Sequence, residues 1–274
     1  MELKLSVLVL FAVYLTLTVA ETYYPLRELK TSKSGRQLKN FSLFMISAIA
    51  SRFLSFPLVL AAIHYSEVKQ IGLIHLIDAN KNLSFILSFL LLDYTLYLWH
   101  WANHKIPFLW RFHNVHHIDI DMDASTALRF HMGELILSNC IRAALALFIG
   151  FSLQSLLFFE IILTASILFH HSNTRLPQFV EKHLSRIIIT PLYHQTHHSH
   201  YLEETNSNYG AIFILWDKLH KTFHKNIFDV TIGNPAYPKD VALWDLLKLP
   251  AHKPLKWPHT LIKRRKSANN PSTL

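Results

Sequence analysis

The sequence predicts an all-α integral membrane protein, a bundle of membrane helices with a histidine-rich helical cap. Three observations predict this fold. Hydrophobic residues make up 51% of the 274 residues and charged residues only 16%, whereas soluble domains carry about 25% charged residues. Several apolar segments approach the roughly 20 residues that a helix needs to cross a bilayer. Finally, 13 of the 19 histidines fall between positions 100 and 200.

Four or five apolar segments are expected to cross or enter the membrane. The first could be a cleaved signal peptide, because "TVA" before Glu21 resembles a cleavage site. Only Lys4 precedes a long apolar run, however, which favours a retained helix. The last two segments are short and joined at Gly150, so they form a hairpin that crosses the bilayer or dips in and returns. In order, the segments are residues 3–20, Phe41–Ile63, Leu83–Trp101, Leu135–Ile149 and Leu153–Phe169.

Two charged residues inside this hairpin need partners, because a lone charge is costly in lipid. Arg142 and Glu160 stand nine positions before and nine after Phe151. Around a tight turn the two side chains reach the same depth. We therefore expect them to form an ion pair with a structural role.

Loop charge predicts the orientation. Residues 26–40 hold five basic residues, whereas residues 65–82 hold two basic and two acidic ones. The positive-inside rule then puts 26–40 in the cytoplasm. Counting crossings places every histidine cluster on the cytoplasmic side, together with the basic tail that contains Lys263, Arg264, Arg265 and Lys266.

Composition excludes several classes of protein. The lone Cys140 rules out a disulfide framework and a cysteine-based zinc site. Neither a GxGxxG nor a Walker pattern is present. Lys and Arg exceed Asp and Glu by nine, but this excess accompanies long apolar runs, so it favours a lipid surface over nucleic acid.

The histidines form three boxes with the spacing of a shared helix face. Positions i and i+4 lie on one face, and i+3 lies close to it, so one turn can offer up to three ring nitrogens to a metal ion. Asp93 and Tyr97 continue the stripe of the first box, and we expect Asp93 to stabilise a polar network beneath the metals. The eight box residues are His100 and His104; His113, His116 and His117; and His194, His197 and His198.

Eight imidazoles exceed the four to six ligands of one ion, so the boxes predict two ions. All-imidazole ligation suits Zn, Cu or Fe. The H-E-x-x-H motif of hydrolytic zinc sites and the Glu-x-x-His pairs of soluble di-iron bundles are absent. Neutral nitrogen ligands at a membrane face favour two irons that activate O₂. His131 and His171 are further candidate ligands, whereas His170 and His200 are expected outside the coordination shell. His116 and His197 are the residues whose loss is expected to abolish turnover.

Longer stretches of the chain carry a family resemblance. "LWHWANH", "FHNVHH" and "HQTHH" resemble the three histidine boxes of the fatty acid hydroxylase / sterol desaturase superfamily, and "TALRFH" and "FHHSNTRLP" match its flanking sequences. The chain looks most similar to the bacterial sterol-desaturase-like branch. Fatty acid 2-hydroxylases carry an extra HxxxH here, but Arg175 stands four residues after His171, which argues against that activity. The resemblance gives scaffold roles to Asn173, Asn208, Tyr209, Trp216 and Asp217.

The resemblance implies a membrane-bound, non-haem di-iron oxidoreductase. It would use O₂ and external electrons to hydroxylate or desaturate a sterol or fatty acyl C–H bond. Its iron ligands would be the eight box histidines and His171, in a catalytic domain spanning 83–225, between N-terminal membrane helices (1–82) and a basic C-terminal tail (226–274).

The expected partners are a lipid substrate and a separate electron donor of the cytochrome b5, ferredoxin or reductase type, with no nucleic acid. A bacterial inner membrane is favoured over the endoplasmic reticulum. Two alternatives stay open: an alkylglycerol-type monooxygenase that cleaves ether lipids, and a membrane metal-binding protein without catalysis.

Overall fold

The computed structural model describes residues 3–77, 80–224, 230–258 and 261. This part of the chain is all-helical, as predicted, and contains isolated bridges but no strand. The α-helices are α1 (Leu3–Tyr23), α2 (Lys33–Leu54), α3 (Phe56–Lys69), α4 (Leu73–Leu76), α5 (Lys81–Lys105), α6 (Pro107–His117), α7 (Met132–Ile149), α8 (Leu153–His171), α9 (Gln178–Leu184), α10 (Pro191–His197), α11 (Leu202–Thr205), α12 (Leu215–Leu219) and α13 (Leu243–Lys248).

Four helices, α1, α5, α7 and α8, are long and apolar enough to cross a membrane, and the bent pair α2–α3 is a fifth candidate. All predicted apolar segments are therefore helical. α1 packs against α8, where the buried Glu21 accepts hydrogen bonds from the amides of Ala124 (2.7 Å) and Asn173 (2.9 Å). The cytoplasmic assignment of the histidine end stays a prediction.

The second predicted segment is broken rather than continuous. α2 ends at Leu54 and α3 begins at Phe56, with a bend of 43° between them. Pro57 lies in the first turn of α3, where its missing amide hydrogen is tolerated, whereas inside a continuous helix it would remove a hydrogen bond. α2 also begins at Lys33, earlier than the apolar pattern indicated, because its first turns bury the polar side chains of Arg36 and Asn40.

α7 and α8 form the predicted hairpin. Gly150 ends α7 with φ of +79°, in the left-handed region that glycine adopts without strain. A Cβ at this position would lie 2.8 Å from the His75 ring. The turn brings Arg142 Nη2 within 2.9 Å of Glu160 Oε1, which confirms the predicted ion pair.

We expect the Arg142–Glu160 pair to have a coupling energy of about 1 kcal/mol, the usual scale for polar contacts between membrane helices. Arg142→Leu and Glu160→Leu each leave one charge unpaired in lipid, so each single variant should unfold at a lower temperature than the double variant. Thermal unfolding of all four proteins in the same detergent measures the coupling. Additive losses would contradict the pairing.

A buried charged cluster ties α2 to the connection after α6. Arg36 donates to Asp119 (3.0 Å) and pairs with Asp123, while Arg129 donates to Asn40 (2.9 Å). Each of these residues is 2% exposed or less. Burial alone would raise the pKa of Asp119, but Arg129 and Arg36 outweigh it and hold this pKa below its ordinary value. The cluster therefore fixes the chain directly after the second histidine box.

Residues 230–258, expected to belong to a basic tail, pack against the cap. Leu246 of α13 is fully buried with Leu43 and Val115. The amide of Gly233 donates to the carbonyl of His198 (2.9 Å), and the amide of Asn234 donates to the carbonyl of His117 (3.1 Å). This strap, residues 230–234, thus joins the ends of two histidine boxes. The basic residues 263–266 lie outside the described part of the chain, and the proposed domain boundaries stay predictions.

Candidate metal centre

Nine buried or nearly buried histidines converge where α5, α6, α8 and α10 meet. They form two groups, and within each group one ligand atom from every residue lies within 4.8 Å of the others. The five-histidine group contains His100, His104, His113, His117 and His197; the four-histidine group contains His116, His171, His194 and His198.

The two groups divide the boxes rather than follow them. In each His-x-x-His-His box the i and i+4 histidines enter one group, and the i+3 histidine enters the other. His116 therefore leaves the group of its neighbours, and so does His197. Each of these boxes therefore offers nitrogens to both groups. The groups touch where the rings of His117 and His198 stack 4.5 Å apart, so two bound ions would be neighbours.

Ring nitrogens within each group face one another without other partners. In the five-histidine group, His113 Nε2 lies 3.1 Å from His100 Nε2 and 3.2 Å from His117 Nε2. In the four-histidine group, His171 Nε2 lies 3.0 Å from Nε2 of both His116 and His194. Lone pairs that point at one another in this way repel unless a cation or proton lies between them. This arrangement fits a shared metal ion.

Several nitrogens in the groups are buried and have no hydrogen-bond partner. They are His104 Nε2, His116 Nδ1, His194 Nδ1, His197 Nε2 and both ring nitrogens of His198. An unpaired buried polar atom is costly, and a metal ion is the partner that an all-imidazole pocket can accept. The residues present therefore fit two metal ions.

The backbone orients three of the rings. A ring N–H on the far side of each imidazole donates to a carbonyl, which leaves Nε2 free to bind a metal. The donors and acceptors are His100 Nδ1 with Tyr209 O (2.7 Å), His197 Nδ1 with Ser207 O (2.7 Å) and His171 Nδ1 with Ile167 O (2.8 Å).

His113 is oriented by a carboxylate instead. Its Nδ1 lies 2.9 Å from Glu134 Oε1, and Glu134 is 5% exposed at the start of α7. A carboxylate partner fixes the ring and makes the opposite nitrogen a stronger donor to a metal. Glu134 is not among the residues predicted from the sequence, because no motif connects it with His113, 21 residues earlier.

Glu134→Gln is expected to weaken metal binding in the five-histidine group by roughly 10–100-fold. The amide can still accept the hydrogen bond, but it carries no charge to strengthen the ligand. Competition with a chelator on the purified protein measures the affinity, with the exposed Glu203→Gln as control. Equal affinities in the two variants would show that the carboxylate does not act on the metal.

Burial keeps several histidines of the cap neutral. It lowers the pKa of His116, His117 and His198 well below the ordinary value of 6.5, and the neighbouring imidazoles lower it further. The pKa values of His194 and His197 shift in the same direction for the same reasons. Neutral imidazole is the form that binds a metal, so the pocket is ready for one at neutral pH.

The structure does not bring His131 to either group. Its Nδ1 accepts from the amide of Gly133 (2.9 Å) at the start of α7, and its Nε2 lies 3.1 Å from the carbonyl of Leu247. This position gives no support to its role as a ligand. His170 is buried outside both groups, with its ring 4.0 Å from that of His194, as expected for a residue beside the coordination shell.

Below the first box, Asp93 takes part in the expected polar network. Its Oδ2 accepts from Trp216 Nε1 (2.6 Å) and from the amide of Phe213 (3.4 Å). Tyr97 is hydrogen-bonded to Thr222 (3.0 Å). These contacts lie along the stripe that ends at His100 and His104, and they fix the segment after the third box against α5.

Curated proteins similar to this chain include lipid-modifying enzymes. The chain is 31% identical to alkylglycerol monooxygenases of Caenorhabditis elegans and Homo sapiens over 57% and 53% of its length. It is 30% identical to the ornithine lipid hydroxylase OlsE of Rhizobium tropici over 51% of its length. The matches cover only 32%, 32% and 41% of these relatives. No solved structure matches the chain.

A family model supplies the assignment. The model described as fatty acid hydroxylase matches residues 85–222, which is half of the chain. This range contains α5 to α12 almost entirely and all nine histidines of the two groups. The chain therefore belongs to the fatty acid hydroxylase family.

Proposed function

We propose that the protein is a membrane-bound di-iron oxidoreductase that hydroxylates or desaturates a C–H bond of a lipid, with O₂ as co-substrate. One observation carries the proposal: two adjacent groups of buried, neutral imidazoles lie at the ends of apolar helices. The names of the relatives, which are lipid hydroxylases and monooxygenases, support the same chemistry.

Two bound irons would supply the reductive activation of O₂. The chain supplies the ligand rings, their orientation and a pocket from which water is largely excluded. His116 and His197 differ from the other proposed ligands. Each belongs to one histidine group, while the other two histidines of its own box belong to the other group. We propose both as residues essential for turnover.

The substrate enters from the bilayer, because the two histidine groups lie at the ends of α5 and α8, which are candidate membrane spans. The proposed substrate is a sterol or a fatty acyl chain. The remaining parts of the proposal are a cytoplasmic active site, a bacterial inner membrane, and a cytochrome b5-, ferredoxin- or reductase-type protein that delivers electrons.

Ether-lipid oxidation is the second candidate function. It is favoured by the similarity to alkylglycerol monooxygenases, at 31% identity over about half of this chain. Hydroxylation of the carbon next to an ether oxygen gives a hemiacetal, which breaks into an aldehyde and an alcohol. Metal ions held by the same histidine groups would perform this reaction. Its products distinguish it from hydroxylation at another carbon of the lipid.

The test uses the full-length protein in lipid nanodiscs, loaded with iron and supplied with a chemical reductant and O₂. We expect O₂ consumption that depends on lipid, together with a lipid product that has gained one oxygen atom or lost two hydrogen atoms. A fatty aldehyde would identify ether cleavage. Bound iron without O₂ consumption would overturn the proposal in favour of a metal-binding protein without catalysis.

A further inference from the structure

The connection that follows the third histidine box reaches far down the side of α5. The ring of Phe213 lies 6.2 Å from that of Phe89, and Trp216 donates to Asp93. Measured along the helix at 1.5 Å per residue, Asp93 is roughly 10 Å and Phe89 roughly 16 Å below His100. The segment around Phe213 therefore lies beside the middle of α5, more than about 10 Å along the helix from the histidine groups.

The lengths of α7 and α8 place this depth inside the lipid. They have 18 and 19 residues, so they span about 27 and 28 Å, against a hydrocarbon core of about 30 Å. If the hairpin crosses, both helices are immersed over their whole length, with His171 at one boundary. Phe159 of α8, twelve residues before His171, touches Phe89 (5.5 Å between centroids). Phe213 contacts the same Phe89 ring.

We propose that two segments form a re-entrant unit immersed in the leaflet next to the histidine groups. One segment is α9 with the residues that follow it, and the other is α12 with the residues that precede it. This unit comprises residues 178–190 and 209–220. Its partner is the hydrocarbon of membrane lipids. The proposal concerns how the chain sits in the membrane and does not depend on a bound metal or on lipid oxidation.

Part of the irregular backbone of the unit is paired within the unit, and such pairing is what irregular backbone at membrane depth requires. The carboxylate of Asp217, fully buried, accepts from two consecutive amides, and two further amides pair with carbonyls across the Ile188–Phe213 bridge. The contacts are Tyr209 N and Gly210 N to Asp217 (both 2.8 Å), Ile189 N to Ile212 O (3.0 Å) and Ile214 N to Ile187 O (3.0 Å).

The outer surface of the unit carries an apolar patch among polar residues. Five large side chains on it are exposed, between 41% and 75%: Phe179, Val180, Ile187, Leu215 and Leu219. A patch of this kind in water marks an interaction surface. At the depth given by Phe89, acyl chains are the partner that covers it.

The unit also carries three exposed cations, Lys182, Arg186 and Lys218, whose charged ends must reach the polar boundary by extending along the apolar surface. Lys218 Nζ donates to the carbonyl of Arg186 (3.1 Å) and lies 5.9 Å from the ring of Phe223. Phe223 in turn contacts Tyr193 of α10 (5.2 Å between centroids), next to the histidines of the third box. A lysine that carries its ammonium back toward the polar boundary in this way can lie in a leaflet.

Site-directed spin labelling tests the proposal on the full chain. Cys140 is the only cysteine, so Cys140→Ala gives a background in which Leu215→Cys and Leu219→Cys can each be labelled in nanodiscs. Both positions are exposed, so a label should not disturb the core. We expect the label at either position to meet O₂ more than a water-soluble nickel complex, as acyl-chain contact requires.

Two labelled controls set the scale: Leu8→Cys on the lipid-facing side of α1, 64% exposed, and Ser34→Cys at the exposed start of α2. Labels at 215 and 219 that behave like the label at 8 support immersion. Nickel access like that at 34 would overturn it and indicate that the hairpin does not cross the bilayer. Low access to both reagents would also overturn it, because the patch would then be covered by protein.

Discussion

His197→Ala is expected to abolish lipid oxidation and to remove the metal from the five-histidine group. Its Nε2 is buried without a hydrogen-bond partner, and its Nδ1 is held by Ser207 O, so alanine removes a ligand that nothing nearby replaces. Losing a ligand should exceed the roughly 10–100-fold effect of losing an outer partner. We therefore expect at least about a 100-fold loss of turnover.

His116→Ala should have the same effect through the other group. The two variants separate the groups, because His116 lies with His171, His194 and His198. Metal analysis of the purified proteins should give at most one ion per chain in each variant and two in the unaltered protein. The exposed His252→Ala should retain both ions and full activity. Full turnover in either ligand variant would remove that residue from the site.

Arg36→Ala is expected to destabilise the protein by about 3–5 kcal/mol, the range for removing one partner of a buried ion pair. Arg36 is the common partner of Asp119 and Asp123, and all three are almost fully buried. Without the guanidinium, two carboxylates would stay in a low-dielectric interior beside the second histidine box. Unfolding by heat or denaturant in a mild detergent, with and without added metal, measures the loss.

Two further variants test the reason for this effect. Arg36→Lys should recover only part of the stability, because one ammonium cannot hold two carboxylates with the geometry of a guanidinium. Lys39→Ala removes a cation one turn later on α2 whose partner, Asp240, is 44% exposed, so it should cost about 1 kcal/mol or less. If Arg36→Ala cost no more than Lys39→Ala, the buried cluster would have no special role in stability.

The sequence predicted the long helices and the grouping of the box histidines because both signals are local. Apolar runs of membrane length gave α1, α5, α7 and α8, and the i, i+4 spacing put His100 and His104 on one face of α5. The Arg142–Glu160 pair was also predictable, since both residues are equally distant from one turn.

The division of the histidines between two groups could not be read from the boxes. Residues i and i+3 point about 60° apart on a helix, enough for His113 and His116 to enter different groups once other helices pack around them. Glu134 could not be connected with His113 either, because only the packing of α7 against α6 brings them together. Both facts depend on tertiary contacts, which spacing does not contain.

The strap has a consequence for biosynthesis. The amides of Gly233 and Asn234 hold the carbonyls of His198 and His117, yet they follow the last box by more than thirty positions. A ribosome makes this strap only after the three histidine boxes and the candidate membrane helices α1, α2–α3, α5, α7 and α8. The pocket therefore reaches the geometry described above only once the strap has been made, and a metal ion that needs this geometry binds after that point.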